Sequence, residues 1–327
     1  VKQIDILCPV FREEDALHGF HARLRAALQP LGDGYTFRFI YVMDPSPDRT
    51  EAVLRDMALA DRDITVLVMS RRFGHQAALL AGIDAARGDA LVMLDSDGQH
   101  PPEIIPVLVE RWEAGSQIVQ TLRKDGSETG WLKRSMSAWF YRILSNIGSI
   151  ELKGGAADFR LLDRSVVEVI RSDFGERNIF LRGIIAWVGY ATSFVEFEPL
   201  KRMNGTSNYR ASILINFAIQ GISSFSKFPL RLCTAIGMII AVLSVLAAVL
   251  MVLDYFAGTQ VVPGWATLLA FVAFLGGVQL FFMGVFGEYL GQVFDEVKGR
   301  PRYLVARRYV GSPESTATID QSSTNDR

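Results

Sequence analysis

Leu94-Asp95-Ser96-Asp97-Gly98-Gln99-His100-Pro101-Pro102 is the stretch on which the reading of this chain turns. It follows a short apolar run, Ala90 to Leu94, with the length and composition of a buried strand. Gly98 and Pro101-Pro102 mark a turn, and Pro102 suits the first residue of a following helix. Asp95 and Asp97 stand two apart where the strand should stop, and side chains two apart on an extended chain point the same way. Two carboxylates aimed at one spot repel unless a cation lies between them. A divalent metal with Gln99 as a neutral third oxygen answers that repulsion, and hard oxygen ligands favour Mg²⁺ or Mn²⁺ shared with substrate phosphates. A bare D-x-D serves equally as a helix cap or a solvated loop, so its surroundings must decide.

Outward from that stretch, strands alternate with helices. Ile4–Pro9, Phe37–Met43, Ile64–Met69 and Ile118–Leu122 read as strands. Arg12–Leu28 reads as an amphipathic helix carrying Leu17, Phe20, Leu24 and Leu28 on one face, with Glu13 and Glu14 in its first turn, where carboxylates suit the helix dipole. Asp48–Ala60, Gly74–Arg87 and Pro102–Ala114 are further expected helices. This alternation predicts an α/β fold, a mostly parallel sheet covered by helices on both faces. Ligands of such sheets bind at the carboxyl ends of the strands, and Glu13, Asp44 and the Asp95/Asp97 pair all fall just past such ends. Beyond Gly126 the pattern loosens. Trp131–Asn146 and Asn178–Trp187 read as helices, Asp158–Leu162 as a short extended piece and Thr192–Glu198 as a strand. Lys133, Arg134, Lys201 and Arg202 suit phosphate groups, or simply solvated faces.

The last third differs in kind. Half of the 327 residues are hydrophobic and mean hydropathy is +0.21, high for a chain without membrane contact. Leu232–Leu253 holds no charged residue over 22 positions and Gly264–Gly287 none over 24. About 20 apolar residues suffice for a helix to cross the hydrocarbon core. Both outer flanks are basic (Lys227 and Arg231; Lys298, Arg300, Arg302, Arg307 and Arg308), and the connector between the runs holds Asp254 with no Lys or Arg. The positive-inside rule then puts both flanks in the cytoplasm. Asn208–Phe228 has Ile215, Ile219, Ile222 and Phe225 on one helical face, which suits a helix lying in the membrane interface or a packed surface helix. The expected organisation is a cytoplasmic catalytic domain over 1–205, an interfacial amphipathic helix over 206–228, a transmembrane hairpin over 229–290, and a basic juxtamembrane segment with a disordered tail over 291–327. Strand-like sequence begins almost at Val1, so no leader is expected and attachment is expected later in the chain. A net charge of −1 offers no field for nucleic acid. Cys8 and Cys233, far apart, frame neither a disulfide scaffold nor a zinc site. Gly276-Gly277 suits close packing between helices and a homo-oligomer.

On these residues the chain resembles the membrane-anchored family 2 glycosyltransferases of the polyprenyl-phosphate type, which include dolichol-phosphate mannose synthase and the bacterial undecaprenyl-phosphate glucosyl and aminoarabinosyl transferases. Leu94 to Glu103 is close to the family's Asp-x-Asp-x-Gln-x-Pro-Pro-Glu signature, the most specific piece. Pro9-Val10-Phe11-Arg12-Glu13 is similar to its opening motif, and Val42 to Thr50 to its Val-Asp-Asp-Gly-Ser-x-Asp-x-Thr segment. Arg72 to Asp89, Asp158 to Asp163, Asn178 to Gly189 and Arg202 to Tyr209 match later blocks. Met43 and Pro45 depart from the second motif, and His75 stands where Lys is common.

The resemblance implies a GT-A, Rossmann-like fold and metal-dependent, inverting transfer of a sugar from a nucleotide sugar to a polyprenyl phosphate at the inner face of the cell membrane. UDP-glucose is the leading donor. By position, Pro9, Phe11, Glu13 and Asp44 would hold base and ribose, while Asp95, Asp97 and Gln99 would take the metal and diphosphate. Arg202 would approach the diphosphate; Arg134, with Lys133 and Ser207, the lipid phosphate. Asp158 would sit beside the reacting sugar, in a positioning role rather than as a strong base. A processive polysaccharide synthase is expected to carry Gln-x-x-Arg-Trp, absent here, and no G-x-G-x-x-G follows the first strand as in a Rossmann oxidoreductase. An inactive membrane scaffold would not need the Asp95/Asp97/Gln99 set.

Overall fold

A computed structural model describes residues 1–124, 155–177, 180–200, 228–256 and 264–311. The chain forms two compact units, Val1–Arg210 with Pro301–Arg327, and Ala211–Arg300.

The first unit is built on an eight-stranded sheet in the order β7-β5-β6-β4-β1-β2-β3-β8. β1 (Lys2–Val10), β2 (Tyr35–Met43), β3 (Ile64–Met69) and β4 (Ala90–Met93) are its parallel centre. β5 (Ile118–Arg123) and β7 (Thr192–Phe197) pair in parallel, joined to the centre through β6 (Ala156–Asp163), antiparallel to both β4 and β5. Every second residue of the central strands faces one layer: Ile4, Ile6, Cys8, Phe39, Tyr41, Val66 and Val92 form a buried core with Leu17, Phe20 and Leu24 of α1 (Leu17–Leu28), Leu54 and Met57 of α2 (Thr50–Ala60), and Ile105, Leu108 and Trp112 of α4 (Ile105–Glu113). α3 (His75–Ala85) packs on β1 and β2, and α5 (Arg164–Asp173) packs on α3 and β4. α6 (Leu181–Trp187) completes this unit's described helices.

The α/β expectation holds, with local differences. α1 starts at Leu17, not Arg12. Arg12 takes φ +59°, a left-handed conformation that no helix interior accepts, and the Glu13 carbonyl closes a turn by accepting from Ala16 and Leu17 N–H at 3.0 and 3.1 Å. Glu13 and Glu14 therefore precede the helix, and its first turn holds no acidic residue. Pro102 does open the next helical element, a 3₁₀ turn over Pro102–Ile104 that leads into α4. The expected short piece at Asp158 is a full strand, β6.

Two elements went unexpected. α5 begins where the Asp163 carboxylate accepts from Ser165 N–H at 2.9 Å, an N-cap whose Asp-x-Ser signature stands in the sequence. β8 (Val305–Val310), expected as a basic juxtamembrane segment, pairs antiparallel with β3 instead. Arg307 accordingly lies on a sheet strand and donates to Glu51 Oε2 at 2.8 Å.

The second unit contains α7 (Phe228–Phe256) and α8 (Trp265–Lys298), so both expected apolar runs fall on helices. Among the described residues, Phe274–Lys298 is the one helical segment long and apolar enough to cross a membrane, and Leu232–Ala247 is a shorter apolar helix. By that measure the described helices supply one crossing where the sequence led us to expect two. The expected interfacial helix over 206–228 and the tail beyond Gly311 lie outside the described residues.

Candidate active site

The parallel register aligns the carboxyl ends of the central strands. Val10 pairs with Met43, Met43 with Val68, and Leu7 with Met93. The segments following these ends, Phe11–Glu13, Asp44, Ser70–His75 and Leu94–Gln99, therefore meet along one edge of the sheet. Arg160 pairs with Met93 across the antiparallel β4–β6 ladder, which brings Asp158 to the same edge.

The strand of the D-x-D segment ends at Met93, and Ser96-Asp97 form a turn closed by Gly98 at φ +79°. Asp95 and Asp97 are thus not alternate residues of an extended chain, and a turn rather than strand periodicity sets their directions. Ser96 Oγ donates to the Pro9 carbonyl at 2.9 Å, and Asp97 Oδ1 accepts from Gln99 N–H at 3.0 Å. Asp95 N–H donates to His100 Nδ1 at 3.0 Å. That bond requires Nδ1 to be unprotonated, so its 3.6 Å approach to the Asp95 carboxylate is no ion pair in this tautomer. His100 is itself fixed by stacking on Phe159, ring centroids 5.4 Å apart.

Asp158 is the most heavily engaged acid of the site. Its Oδ1 accepts from Arg160 Nη2 at 2.6 Å and its Oδ2 from Arg182 Nη2 at 2.9 Å. His75 Nε2 lies 3.6 Å from Asp158 Oδ2 and 3.5 Å from Asp95 Oδ1. Desolvation raises the Asp158 carboxyl, but His75, Arg182 and Arg160 outweigh it and hold it well below the usual carboxylate range. Desolvation likewise lowers the His75 imidazole, but Asp158 and Asp95 leave it raised. Arg160, with a side chain only 1% exposed, is pushed by burial down to about 10, partly offset by Asp158.

Asp44 is buried, and both its oxygens accept backbone donors: Oδ1 from Phe73 N–H at 3.0 Å and Oδ2 from Gly74 N–H at 2.9 Å. Gly74 has φ +96° and immediately precedes α3. The Arg72 guanidinium lies 4.4 Å from the Phe11 ring centroid and that of Arg12 lies 5.3 Å away, leaving an aromatic face framed by cations. Glu13 N–H donates to Thr50 Oγ1 at 3.1 Å, which ties this segment to the start of α2.

The structure thus brings Pro9, Phe11, Glu13, Asp44, Asp95, Asp97, Gln99 and Asp158 to one edge. Lys133, Arg134, Arg202 and Ser207 lie outside the described residues. Sequence reasoning missed Arg160 and Arg182, and noted His75 only as a departure from the family pattern. An arginine inside an apolar strand, Phe159-Arg160-Leu161, was the available signal, since such a charge stays buried only when paired. Among the described residues no group of three or more His, Cys, Asp or Glu is arranged to hold a metal ion. Asp95 and Asp97 do offer the hard oxygens that Mg²⁺ or Mn²⁺ accepts, and such ions routinely complete their shell with substrate phosphates and water.

Residues 5–171 match the model of the family described as glycosyl transferase family 2. The SfII prophage-derived bactoprenol glucosyl transferase of Shigella flexneri is 40% identical over 313 residues, 95% of this chain and 100% of the relative. An uncharacterized glycosyltransferase of Synechocystis is 41% identical over 304 residues, 93% of this chain and 95% of the relative. Among solved structures, glucosyl-3-phosphoglycerate synthase from Mycobacterium tuberculosis aligns at TM-score 0.45 and 20% identity, over 68% of this chain and 78% of that one. The family match over half the chain and the near end-to-end alignment with the Shigella protein at 40% identity lead to one conclusion: the chain belongs to glycosyl transferase family 2 and is a glycosyltransferase.

Proposed function

We propose that this enzyme transfers a sugar, with UDP-glucose as the leading donor, to a polyprenyl phosphate at the cytoplasmic face of a membrane, with inversion and with Mg²⁺ or Mn²⁺ as cofactor. The observation that carries this reading is the alignment of 95% of the chain with a relative named for glucosyl transfer to bactoprenol. The two uncharged runs, Leu232–Leu253 and Gly264–Gly287, support a membrane hairpin that keeps a lipid acceptor's headgroup near the site. Self-association through Gly276-Gly277 belongs to the same reading.

Breaking the bond between the anomeric carbon and the diphosphate builds negative charge on the leaving oxygen. Asp95 and Asp97 would hold a divalent cation, which would supply counter-charge to that leaving oxygen. Arg72 and Arg12 frame the Phe11 face at the same edge, where a nucleotide base can lie. The acceptor needs little help to lose a proton, because a phosphate monoester has its second pKa at about 6 and is largely ionised near neutrality. Asp158 fits that economy. A carboxylate held well below its ordinary range by two guanidinium groups and an imidazole is a poor base but a fixed acceptor. It suits orienting a sugar hydroxyl or the incoming phosphate's cationic partners.

The test is a panel of labelled nucleotide sugars offered with undecaprenyl phosphate to the purified full-length enzyme. Label from UDP-glucose should enter the lipid phase, and only with the divalent ion present. Label that stays water-soluble for every donor would end this reading. An inactive scaffold would hydrolyse none of them.

A further inference from the structure

Asp95 follows the end of β4 and Asp158 lies on the neighbouring β6, and among the described residues His75 is the side chain placed within 4 Å of both carboxylates, at 3.5 and 3.6 Å. Two carboxylates brought together in this way repel unless a donor stands between them. Arg160 and Arg182 donate to the Asp158 carboxylate, while His100 lies beside Asp95. His75 is the first residue of α3, so the backbone just before it sets its position. That backbone is held by Asp44, whose two oxygens take the N–H groups of Phe73 and Gly74.

We propose that Asp44 and His75 act as one positioning relay: Asp44 fixes the Phe73-Gly74 peptide units so that the His75 imidazole holds the Asp95 and Asp158 carboxylates in mutual register for sugar transfer. Neither residue touches the reacting atoms in this role. The relay assigns to Asp44 a task beyond the base contact that its position in the family motif implies. It assigns to His75 a reason for standing where the family often has Lys: an imidazole is short and rigid, and it reaches both acids from the helix start without spanning the site. Displacing a reacting group by about 1 Å costs on the order of a hundredfold in rate, so a relay of this kind is felt in turnover more than in donor binding.

This inference rests on the proposed sugar transfer, and its test has one arm that does not. The variants are Asp44→Asn, His75→Ala, His75→Gln and the Asp44→Asn/His75→Ala double, all in the full-length chain. In the first arm, kcat and donor KM are measured per folded enzyme. His75→Ala should lower kcat by roughly tenfold or more while donor KM moves less than about threefold, because the loss falls on the transition state; Asp44→Asn should lower kcat by a similar factor, with donor KM free to rise through the base contact. His75→Gln should recover part of kcat. The double variant should be no slower than the slower single, because residues in one relay are non-additive. An unchanged kcat in His75→Ala, or losses that multiply in the double, overturns the relay. In the second arm, hydrogen–deuterium exchange is followed at Phe73 and Gly74, with no substrate and no metal. Asp44→Asn should speed exchange there by about tenfold, because a half-buried N–H loses its carboxylate acceptor, while His75→Ala should leave it unchanged. Unaltered exchange in Asp44→Asn overturns the relay whether or not the parent enzyme proves to use a polyprenyl acceptor. A parent that transfers no sugar to lipid, with exchange behaving as expected, overturns the acceptor assignment instead.

Discussion

Tyr303 Oη donates to Asp84 Oδ2 at 2.5 Å, a bond between residues 219 positions apart that fastens the segment after α8 to α3. Arg302 Nη1 donates to the Phe174 carbonyl at 2.9 Å and Ser70 N–H to the Leu304 carbonyl at 2.8 Å, so three consecutive residues are fixed before β8 begins. Tyr303→Phe removes one charge-assisted bond and leaves Asp84 short of a donor. The expected loss is about 1–3 kcal/mol. A lower thermal unfolding midpoint, with kcat per folded enzyme unchanged, is the result to look for.

The far end of β8 is equally constrained. A Cβ on Gly311 would stand 2.4 Å from the Asp61 carbonyl and 2.6 Å from Arg62 Cα, both backbone atoms that cannot swing aside. Gly311→Ala should therefore destabilise the sheet edge by about 1–3 kcal/mol, as overpacking does. Faster hydrogen exchange along β3 and β8, with β1 protected as before, would report it.

Asp97→Ala should lower sugar transfer at least a hundredfold, on the order of what loss of a principal charge-stabilising group costs, while thermal unfolding shifts little. Transfer that survives in this variant would remove Asp97 from the metal assignment.

The Asp158 cluster predicts a pH dependence whose sign follows from linkage. Asp158 has its pKa depressed in the folded protein relative to an ordinary value of 3.8. Its contribution to stability is therefore fully present above that ordinary value and is lost as pH falls toward the depressed native one. Asp158→Asn should flatten the acid limb of a stability–pH curve below about pH 4. It should also destabilise the protein near neutrality, because it strips the buried Arg160 of its counter-charge. Chemical denaturation at several pH values measures both.

Removing the hairpin should hurt transfer to a lipid acceptor more than hydrolysis of the donor. β8 dictates how that variant is built. Truncation after Lys227 also removes residues 305–310 and bares the β3 edge, so losses from the two causes would mix. Replacing residues 211–300 by a flexible linker keeps β8 in the chain. Equal losses in both assays would count against a role for the hairpin in presenting the acceptor.

How much of this could be read from the sequence differs by element. The parallel centre was legible because buried strands carry nearly continuous apolar runs, as in Ile64–Met69, broken only by Thr65. The D-x-D turn was legible because Gly98 and Pro102 announce it. The start of α1 was not, because the spacing of Leu17, Phe20 and Leu24 says which face is buried but not where the backbone first turns helical, and Arg12 at φ +59° leaves no compositional mark. β8 was misread because Arg307 and Arg308 look like a membrane flank, whereas on an edge strand charged side chains are ordinary. The meeting of Asp158 and Arg160 of β6 with Arg182 of α6 and His75 of α3 joins three separate places in the chain, and no local pattern encodes it.

The position of β8 in the chain also orders the birth of the molecule. Translation delivers β1 through β7 first, then both long helices, and only afterwards the six residues that cap β3. Until then β3 presents an unpaired row of amides and carbonyls, the kind of edge that recruits stray strands. A ribosome stalled within α8 would hold a sheet complete in its catalytic strands and open along one side. Chaperone demand during synthesis should therefore peak in the interval between Phe228 and Val305.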